Sequence, residues 1–175
     1  MSAGELAARI RRVGFNTLSA TAFRHVAAGR DPRSGLGAKI HGGRWNPPES
    51  WPTIYVGFSR ATVRAEWARA ASRQGLTLED FLPRDLYEFE LELAEVLDLR
   101  DPAARMSVDV PDEALRAADQ AFSRRIGSAA YAVGAEGVAA PSATGEGDIV
   151  AIFLDRLRPT SRVESRLLET WTGAD

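Results

Sequence analysis

The sequence GGRWNPP at residues 42–48 surrounds one arginine with residues that either free or restrict the backbone. Its two glycines allow positive φ and a close approach of the backbone, and its two prolines stiffen the segment that follows. Because a planar guanidinium bonds two oxygens at once, an Arg44 held in this way is suited to binding a pyrophosphate. The alternative is an ordinary turn in which Arg44 stacks on Trp45.

A carboxylate lies on a predicted helix. Residues 60–74 (RATVRAEWARAASRQ) have the spacing of a helix that Ser59 would cap and Gly75 would stop. Glu66 lies at the shoulder of the apolar stripe, so its charge faces the core or a cleft beside it and needs a partner. Two interpretations stay open: a functional acid in a cleft, or a rim glutamate paired with Arg69 or with solvent.

An arginine and a tyrosine lie on two predicted strands. Residues 21–26 (TAFRHV) and 53–58 (TIYVGF) alternate as strands do, and they carry Arg24 and Tyr55. If the two strands are neighbours in one sheet, both side chains could line one concavity with Glu66. The alternative is a solvated arginine and a tyrosine that only packs.

A serine ends the predicted strand at residues 137–142 (GVAAPS). Ser142 is either a functional hydroxyl or a turn residue that bonds its own backbone. No arrangement of serine, histidine and aspartate indicates an activated nucleophile. His25 and His41 lack further ligands at metal spacing and the chain has no cysteine, so no metal site is predicted.

The other elements follow from periodicity and turn residues. Residues 29–52 predict a long ordered loop, because Trp45 and Trp51 give it apolar area to bury. Further strands are predicted at 86–93, 95–99 and 148–154, and helices at 3–12, 111–127, 128–134 and 161–172. Strands and helices do not alternate strictly, so an α+β fold is favoured over a doubly wound sheet.

Composition limits the class of protein. The 175 residues fit one domain over 1–175, and the net charge of −2 does not favour a nucleic-acid or membrane partner. The absence of cysteine excludes disulfides. No signal peptide or membrane-spanning run is recognisable, so we expect a cytoplasmic protein.

Taken together, these motifs resemble the RES domain, a family named for an arginine, a glutamate and a serine. The resemblance runs from FRHV through GGRWNPP and the strand tyrosine, with a helical glutamate eleven residues further on, to GVAAPSATGEGDIVAIFL. It covers most of the chain.

The resemblance implies a fold similar to that of ADP-ribosyltransferase toxins: a mixed central sheet split around a nicotinamide cleft, with flanking helices. Many RES proteins are toxins of toxin–antitoxin modules that degrade cellular NAD by hydrolysis or phosphorolysis. The resemblance therefore implies NAD as substrate, inorganic phosphate as an optional co-substrate and no required cofactor. It also implies a partner antitoxin of the Xre type, with a helix-turn-helix domain, and is compatible with a homodimer.

By motif position, the resemblance implies three catalytic residues, Glu66, Arg24 and Ser142. It implies that NAD is bound by Arg24, Arg44, Tyr55 and Ser142. Glu66 would stabilise positive charge on the ribose, the arginines would hold phosphates, Tyr55 would stack on nicotinamide, and Ser142 would bond the ribose or the amide. The alternatives are a protein mono-ADP-ribosyltransferase, a silent protein that only binds an antitoxin, and an RNA-binding module.

Overall fold

The computed structural model describes residues 1–173, in which six strands form one mixed sheet. The strands are β1 (Asn16–Ala27), β2 (Thr53–Gly57), β3 (Arg84–Asp98), β4 (Gly137–Pro141), β5 (Asp148–Phe153) and β6 (Arg162–Trp171). The helices in the same residues are α1 (Ala3–Val13), α2 (Leu36–His41), α3 (Arg60–Arg73), α4 (Pro102–Ser107), α5 (Asp112–Arg116) and α6 (Ala121–Ala132). Short 3-10 turns lie at Glu79–Phe81 and Leu154–Arg156.

Five of the strands close into a ring. Their order is β1-β2-β5-β4-β3, and β3 also pairs with β1. β4 runs parallel to β3, whereas the other described pairs are antiparallel. β6 continues the sheet along the first part of β3, because β4 pairs only with its last part. The predicted α+β class, with a mixed sheet and flanking helices, is confirmed.

The strand pairing that closes the ring is shortest between β1 and β2. These strands share one register pair, Phe23 with Gly57, whereas β1 pairs with β3 along almost its whole length. A closed sheet needs continuous pairing to seal it, so the sheet opens on either side of this single contact. The opening is where the functional candidates converge.

Two apolar cores hold the elements in place. All five strands of the ring contribute to an inner core, whose buried members include Leu18, Ile54, Phe89, Ala139 and Val150. The outer core lies between β4, β5 and the helices α1 and α6; it includes Ile10, Trp45, Ile126, Val138 and Phe153. Both cores exclude water from the backbone hydrogen bonds of the strands between them.

The helix that carries Glu66 forms as the sequence predicts. Ser59 caps α3, and its hydroxyl accepts a hydrogen bond of 3.0 Å from the backbone N–H of Thr62. Gly75 follows the helix with a φ of 68°, as a glycine after a helix end often does. Local sequence signals therefore fix both ends of this helix.

The predicted loop at 29–52 contains a short helix that the sequence analysis missed. The backbone N–H of Lys39 donates to the carbonyl of Gly35, and that of Gly42 donates to the carbonyl of Ala38. Six residues are too few for the apolar repeat of a helix to be recognised. The glycines of this segment therefore led to the prediction of a loop. The expectation of order is confirmed, because Trp45 is 1% exposed.

The predicted helix at 111–127 is broken into α5 and the start of α6. Ala117 has an extended ψ of 143°, which ends α5. Asp119 then accepts a hydrogen bond of 2.9 Å from the backbone N–H of Ala121, the first residue of α6. A short acid that bonds the backbone in this way competes with helix continuation. The helix predicted at 128–134 is the end of α6.

The predicted closing helix at 161–172 is wrong, because this segment is β6. Its leucines, glutamates and arginines favour a helix locally. The long strand β3 offers unpaired backbone beyond the end of β4, however, and β6 pairs with it from Trp171 at Arg84 to Arg162 at Glu92. Tertiary hydrogen bonding therefore overrides local propensity.

A buried acid, Glu136, ties β3 to the turn before β6. It is 0% exposed and accepts hydrogen bonds from the backbone N–H groups of Ala94, Glu95 and Arg158. Burial acts to raise its pKa, but a hydrogen bond from the Ser161 side chain and these backbone bonds outweigh burial and lower the pKa below 4.5. The ionised form therefore stabilises the fold.

We expect Glu136→Gln to lower the free energy of unfolding at pH 7 by at least about 2 kcal/mol, because an amide NH₂ would face backbone donors. When folding lowers the pKa of an acid, its ionised form stabilises the folded state at every pH above the pKa of the unfolded chain. This stabilisation is lost as the pH falls through the pKa of the folded state. The deficit should therefore shrink below about pH 4, measured by urea unfolding. Exposed Glu164→Gln is the control; equal stability of the two variants at pH 7 would contradict this role.

Candidate active site

A cavity of about 460 Å³ opens where β1 and β2 separate. Its walls come from β1, the GGRW segment, β2 and α3, and they include Arg24, Arg44, Tyr55 and Glu66. The sequence analysis required β1 and β2 to be neighbours for these side chains to meet, and the two strands are paired. The volume is within the range of small-molecule sites.

The described lining of the cavity is strongly cationic. One acid, Glu66, is accompanied by five arginines: Arg24, Arg44, Arg69, Arg73 and Arg84. The chain as a whole has a net charge of −2, so this positive charge is local. A concave site lined mainly by one sign of charge attracts a ligand of the opposite sign. The cavity therefore suits a multiply charged anion.

Arg24 is held by the loop that follows β1. Its Nη1 donates to the carbonyl oxygens of Pro32 and Ser34. Burial lowers the pKa of Arg24 to about 10, with an opposing effect from Asp31 and a further lowering by Arg84. Arg24 is still protonated at neutral pH, so the cavity wall keeps its charge.

Arg44 is positioned by the two glycines before it. Gly42 has a φ of 74° and ends α2, and a Cβ on Gly43 would overlap the Tyr55 hydroxyl. The expected positive φ and close approach are therefore both present. The described cation–π contacts do not include Arg44 on Trp45. Instead, Trp45 anchors the segment in the outer core.

One half of the Arg44 guanidinium has no hydrogen-bond partner among residues 1–173. Its Nη2 donates to the carbonyl oxygen of Ala117 at 3.1 Å, whereas its Nη1 is buried without a hydrogen bond among the described residues. Burial lowers the pKa of Arg44, and the nearby Arg69 and Arg73 lower it further. A buried unpaired donor is costly, so this group is suited to a ligand oxygen.

Tyr55 organises the segment that carries Arg44. Its hydroxyl donates to Oδ1 of Asn46 at 2.7 Å and accepts from the backbone N–H of Trp45 at 2.9 Å. Burial raises the pKa of Tyr55, so the phenol stays neutral. Asn46, which the sequence analysis did not single out, is 0% exposed and bonds the carbonyl of Ala38. The signal in the sequence that could have identified Asn46 was its position directly after GGRW.

Glu66 and Ser142 are direct partners. The Ser142 hydroxyl donates to Oε1 of Glu66 at 2.6 Å, and it also accepts from the backbone N–H of Thr144. Ser142 is therefore both a turn residue and a contact of the acid. It is 1% exposed and lies behind Glu66 rather than in the cavity wall. The expected alternative, a pairing of Glu66 with Arg69, is replaced by hydrogen bonds from Arg69 to the carbonyls of Ala143 and Arg116.

An aromatic cluster that sequence reasoning missed lies where α3 meets β1 and β6. His25 lies 4.9 Å from the Trp67 ring, and Trp67 stacks on Trp171 of β6 at 5.4 Å. Burial and the charge of Arg84 lower the pKa of His25 to about 3, so its Nδ1 accepts a hydrogen bond from Nε of Arg84. The cluster is invisible in sequence because β6 was predicted as a helix.

Residues 1–173 contain no group of three or more histidine, aspartate or glutamate side chains that could hold a metal ion. Within the same residues, every helix is too short or too polar to cross a bilayer.

Comparison with known proteins gives consistent matches. The RES domain family matches residues 9–171. The NAD(+) phosphorylases MbcT of Mycobacterium tuberculosis and Mycobacterium bovis are 35% identical over 156 residues, which are 88% of this chain and 84% of each relative. The crystal structure of the M. tuberculosis MbcT–MbcA toxin–antitoxin complex matches with a TM-score of 0.80 at 32% identity, covering 93% of this chain and 91% of the matched chain. The chain therefore belongs to the RES domain family, as its arginine, glutamate and serine motifs predicted.

Proposed function

We propose that this chain is a toxin-type enzyme that depletes NAD by cleaving the bond between nicotinamide and ribose, with inorganic phosphate as the attacking group. The observation that carries the proposal is the cavity at the opening of the ring, with five arginines and one acid in its described lining. An anionic dinucleotide supplies the negative charge that this lining needs. The activity named for the mycobacterial relatives, NAD(+) phosphorylase, supports phosphate as the acceptor.

The reaction needs little proton transfer. The electron pair of the bond between ribose C1′ and the pyridinium nitrogen stays on nicotinamide, which leaves as a neutral molecule. C1′ passes through an oxocarbenium-like state, as in other glycosidic cleavages. A phosphate oxygen then forms the new bond to C1′, giving ADP-ribose 1″-phosphate. No general acid is required, because the leaving group is already cationic.

Glu66 is the residue that faces the developing charge. Its carboxylate stabilises the oxocarbenium-like state through the ribose hydroxyls and orients the attacking phosphate. Ser142 fixes one oxygen of Glu66 through the 2.6 Å hydrogen bond. Because Ser142 is buried behind the acid, we assign it to positioning Glu66, in place of the direct contact with ribose or amide expected from the sequence.

The arginines hold the phosphates of NAD. Arg24 on β1 and Arg44 on the GGRW segment both line the cavity, so they can bind the pyrophosphate from two directions. Tyr55 lines the cavity beside Arg44 and walls the nicotinamide ring while its hydroxyl holds the GGRWN segment. No cofactor takes part in this scheme.

The proposal extends to the assembly. The chain is one RES-like domain over 1–175, and the opening between β1 and β2 corresponds to the split sheet of ADP-ribosyltransferase toxins. The matched structure is a toxin–antitoxin complex, which supports an antitoxin partner for this chain. We assign that partner to the Xre type, with a helix-turn-helix domain, and place the protein in the cytoplasm, as a homodimer when free of antitoxin.

Product analysis tests the function directly. Incubation with NAD and inorganic phosphate should give nicotinamide and ADP-ribose 1″-phosphate in equal amounts. Free ADP-ribose alone would identify a glycohydrolase, and label transferred from NAD to a lysate protein would identify a protein ADP-ribosyltransferase. Intact NAD in every reaction would overturn the proposal.

We expect Glu66→Gln to lower kcat by about 100-fold or more, because the amide keeps the shape of the side chain but loses the charge that stabilises the transition state. The measurement is the initial rate of nicotinamide release, with the fold checked by circular dichroism. Glu164→Gln on exposed β6 removes the same charge far from the cavity and should leave the rate unchanged. An unchanged rate in Glu66→Gln would exclude this acid from catalysis.

We expect Arg44→Lys to weaken NAD binding by about 1–3 kcal/mol, because lysine lacks the planar fork that can bond the Ala117 carbonyl and a ligand oxygen at the same time. Titration calorimetry in the Glu66→Gln background and without phosphate would measure the Kd while turnover is slow. The matched control is Arg166→Lys, which changes an arginine that is paired on the surface with Glu88. Equal affinities of the two variants would remove Arg44 from the NAD site.

A further inference from the structure

Two guanidinium groups of the cavity are brought together by consecutive carbonyls. Arg69 donates to the carbonyl oxygen of Arg116, and Arg44 donates to that of Ala117. These carbonyls are free because α5 ends at Arg116 and its last turn has no helical partners for them. Neighbouring peptide groups lie a few ångströms apart, so the two side chains are held side by side.

Arg73 adds a third cation at the same end of the cavity. It lines the cavity and is exposed at its rim. It has no hydrogen bond or ion pair within the described part of the chain. On α3 it follows Glu66 by seven residues, two turns, and helical side chains lean toward the helix N-terminus. Arg73 therefore points back toward Arg69 and the acid, consistent with its influence on Arg44.

The cationic groups of the cavity fall into two sets. Arg24 and Arg84 influence each other on the wall formed by β1 and β3. Arg44, Arg69 and Arg73 form the other set, beside α3, which we call the arginine triad. In the triad, Arg44 and Arg69 donate to backbone carbonyls, whereas Arg73 has no hydrogen bond or ion pair among the described residues. One pyrophosphate cannot neutralise both sets of arginines, so the arginine triad can bind a second anion.

We propose that the arginine triad is the subsite for inorganic phosphate, and that Arg73 is the residue that selects phosphate over water as the attacking group. This inference rests on the proposed function and names the site of its co-substrate. Arg73 binds the phosphate oxygens, and Arg44 and Arg69, which are held by backbone carbonyls, supply fixed positive charge beside them. The bound HPO₄²⁻ forms its bond to C1′ without losing a proton, while the bond to nicotinamide breaks and its electron pair leaves with the ring.

The test compares Arg73→Ala and Arg73→Lys with Arg12→Ala, which removes a positive charge from the exposed end of α1. We expect Arg73→Ala to raise the KM for phosphate about tenfold or more, with the KM for NAD changed less than about twofold. The share of free ADP-ribose among the products should rise, and Arg73→Lys should recover part of the phosphate affinity. Arg12→Ala should have the same two KM values and the same share of free ADP-ribose as the protein without substitutions.

A merely structural role would raise both KM values together, and that result would overturn the subsite. An unchanged KM for phosphate in Arg73→Ala would overturn it as well. If the protein without substitutions does not consume NAD, the proposed function fails. Titration of the full chain with inorganic phosphate, followed by intrinsic tryptophan fluorescence or calorimetry, then decides the subsite. Saturable binding that Arg73→Ala weakens would then support it, and absence of binding at millimolar phosphate would overturn it.

Discussion

The site depends on one electrostatic arrangement, in which guanidinium groups are held by backbone carbonyls instead of by carboxylates. Arg24, Arg44 and Arg69 all donate to carbonyl oxygens of loops and helix ends. A carbonyl dipole orients a guanidinium without cancelling its charge, whereas an acid would neutralise it. The cavity therefore keeps a net positive charge that an anionic ligand can neutralise.

The scaffold supplies these carbonyls at places where regular structure stops. The loop after β1 offers those of Pro32 and Ser34, and the break between α5 and α6 offers those of Arg116 and Ala117. In an uninterrupted helix the last two would be used by the helix itself. The opening of the ring between β1 and β2 then gives all three arginines access to one space.

Glu66, the acid in the described lining of the cavity, is held in a different way from the arginines. Glu66 is held by a hydroxyl, that of Ser142, and the adjacent Arg69 is tied to Ala143 in the same turn. These contacts fasten α3 to the end of β4 while one face of the carboxylate stays in the cavity. A carboxylate that is held in one orientation beside fixed positive charges suits the charge-stabilising role proposed for Glu66.

The sequence by itself determined the local features: the ends of α3, the glycines that free the GGRW segment, the α+β class and the candidate set of Arg24, Arg44, Tyr55 and Glu66. Caps, turns and side-chain alternation act between near neighbours, so they can be recognised in one chain. Only the tertiary structure decided that 162–171 is a strand, that the helix at 111–127 is broken, and that Ser142 lies behind Glu66. It alone revealed Asn46, the His25 cluster and the arginine triad. Local propensity and spacing do not record partners far away in sequence, and such partners decide β6, the place of Ser142, the His25 cluster and the arginine triad.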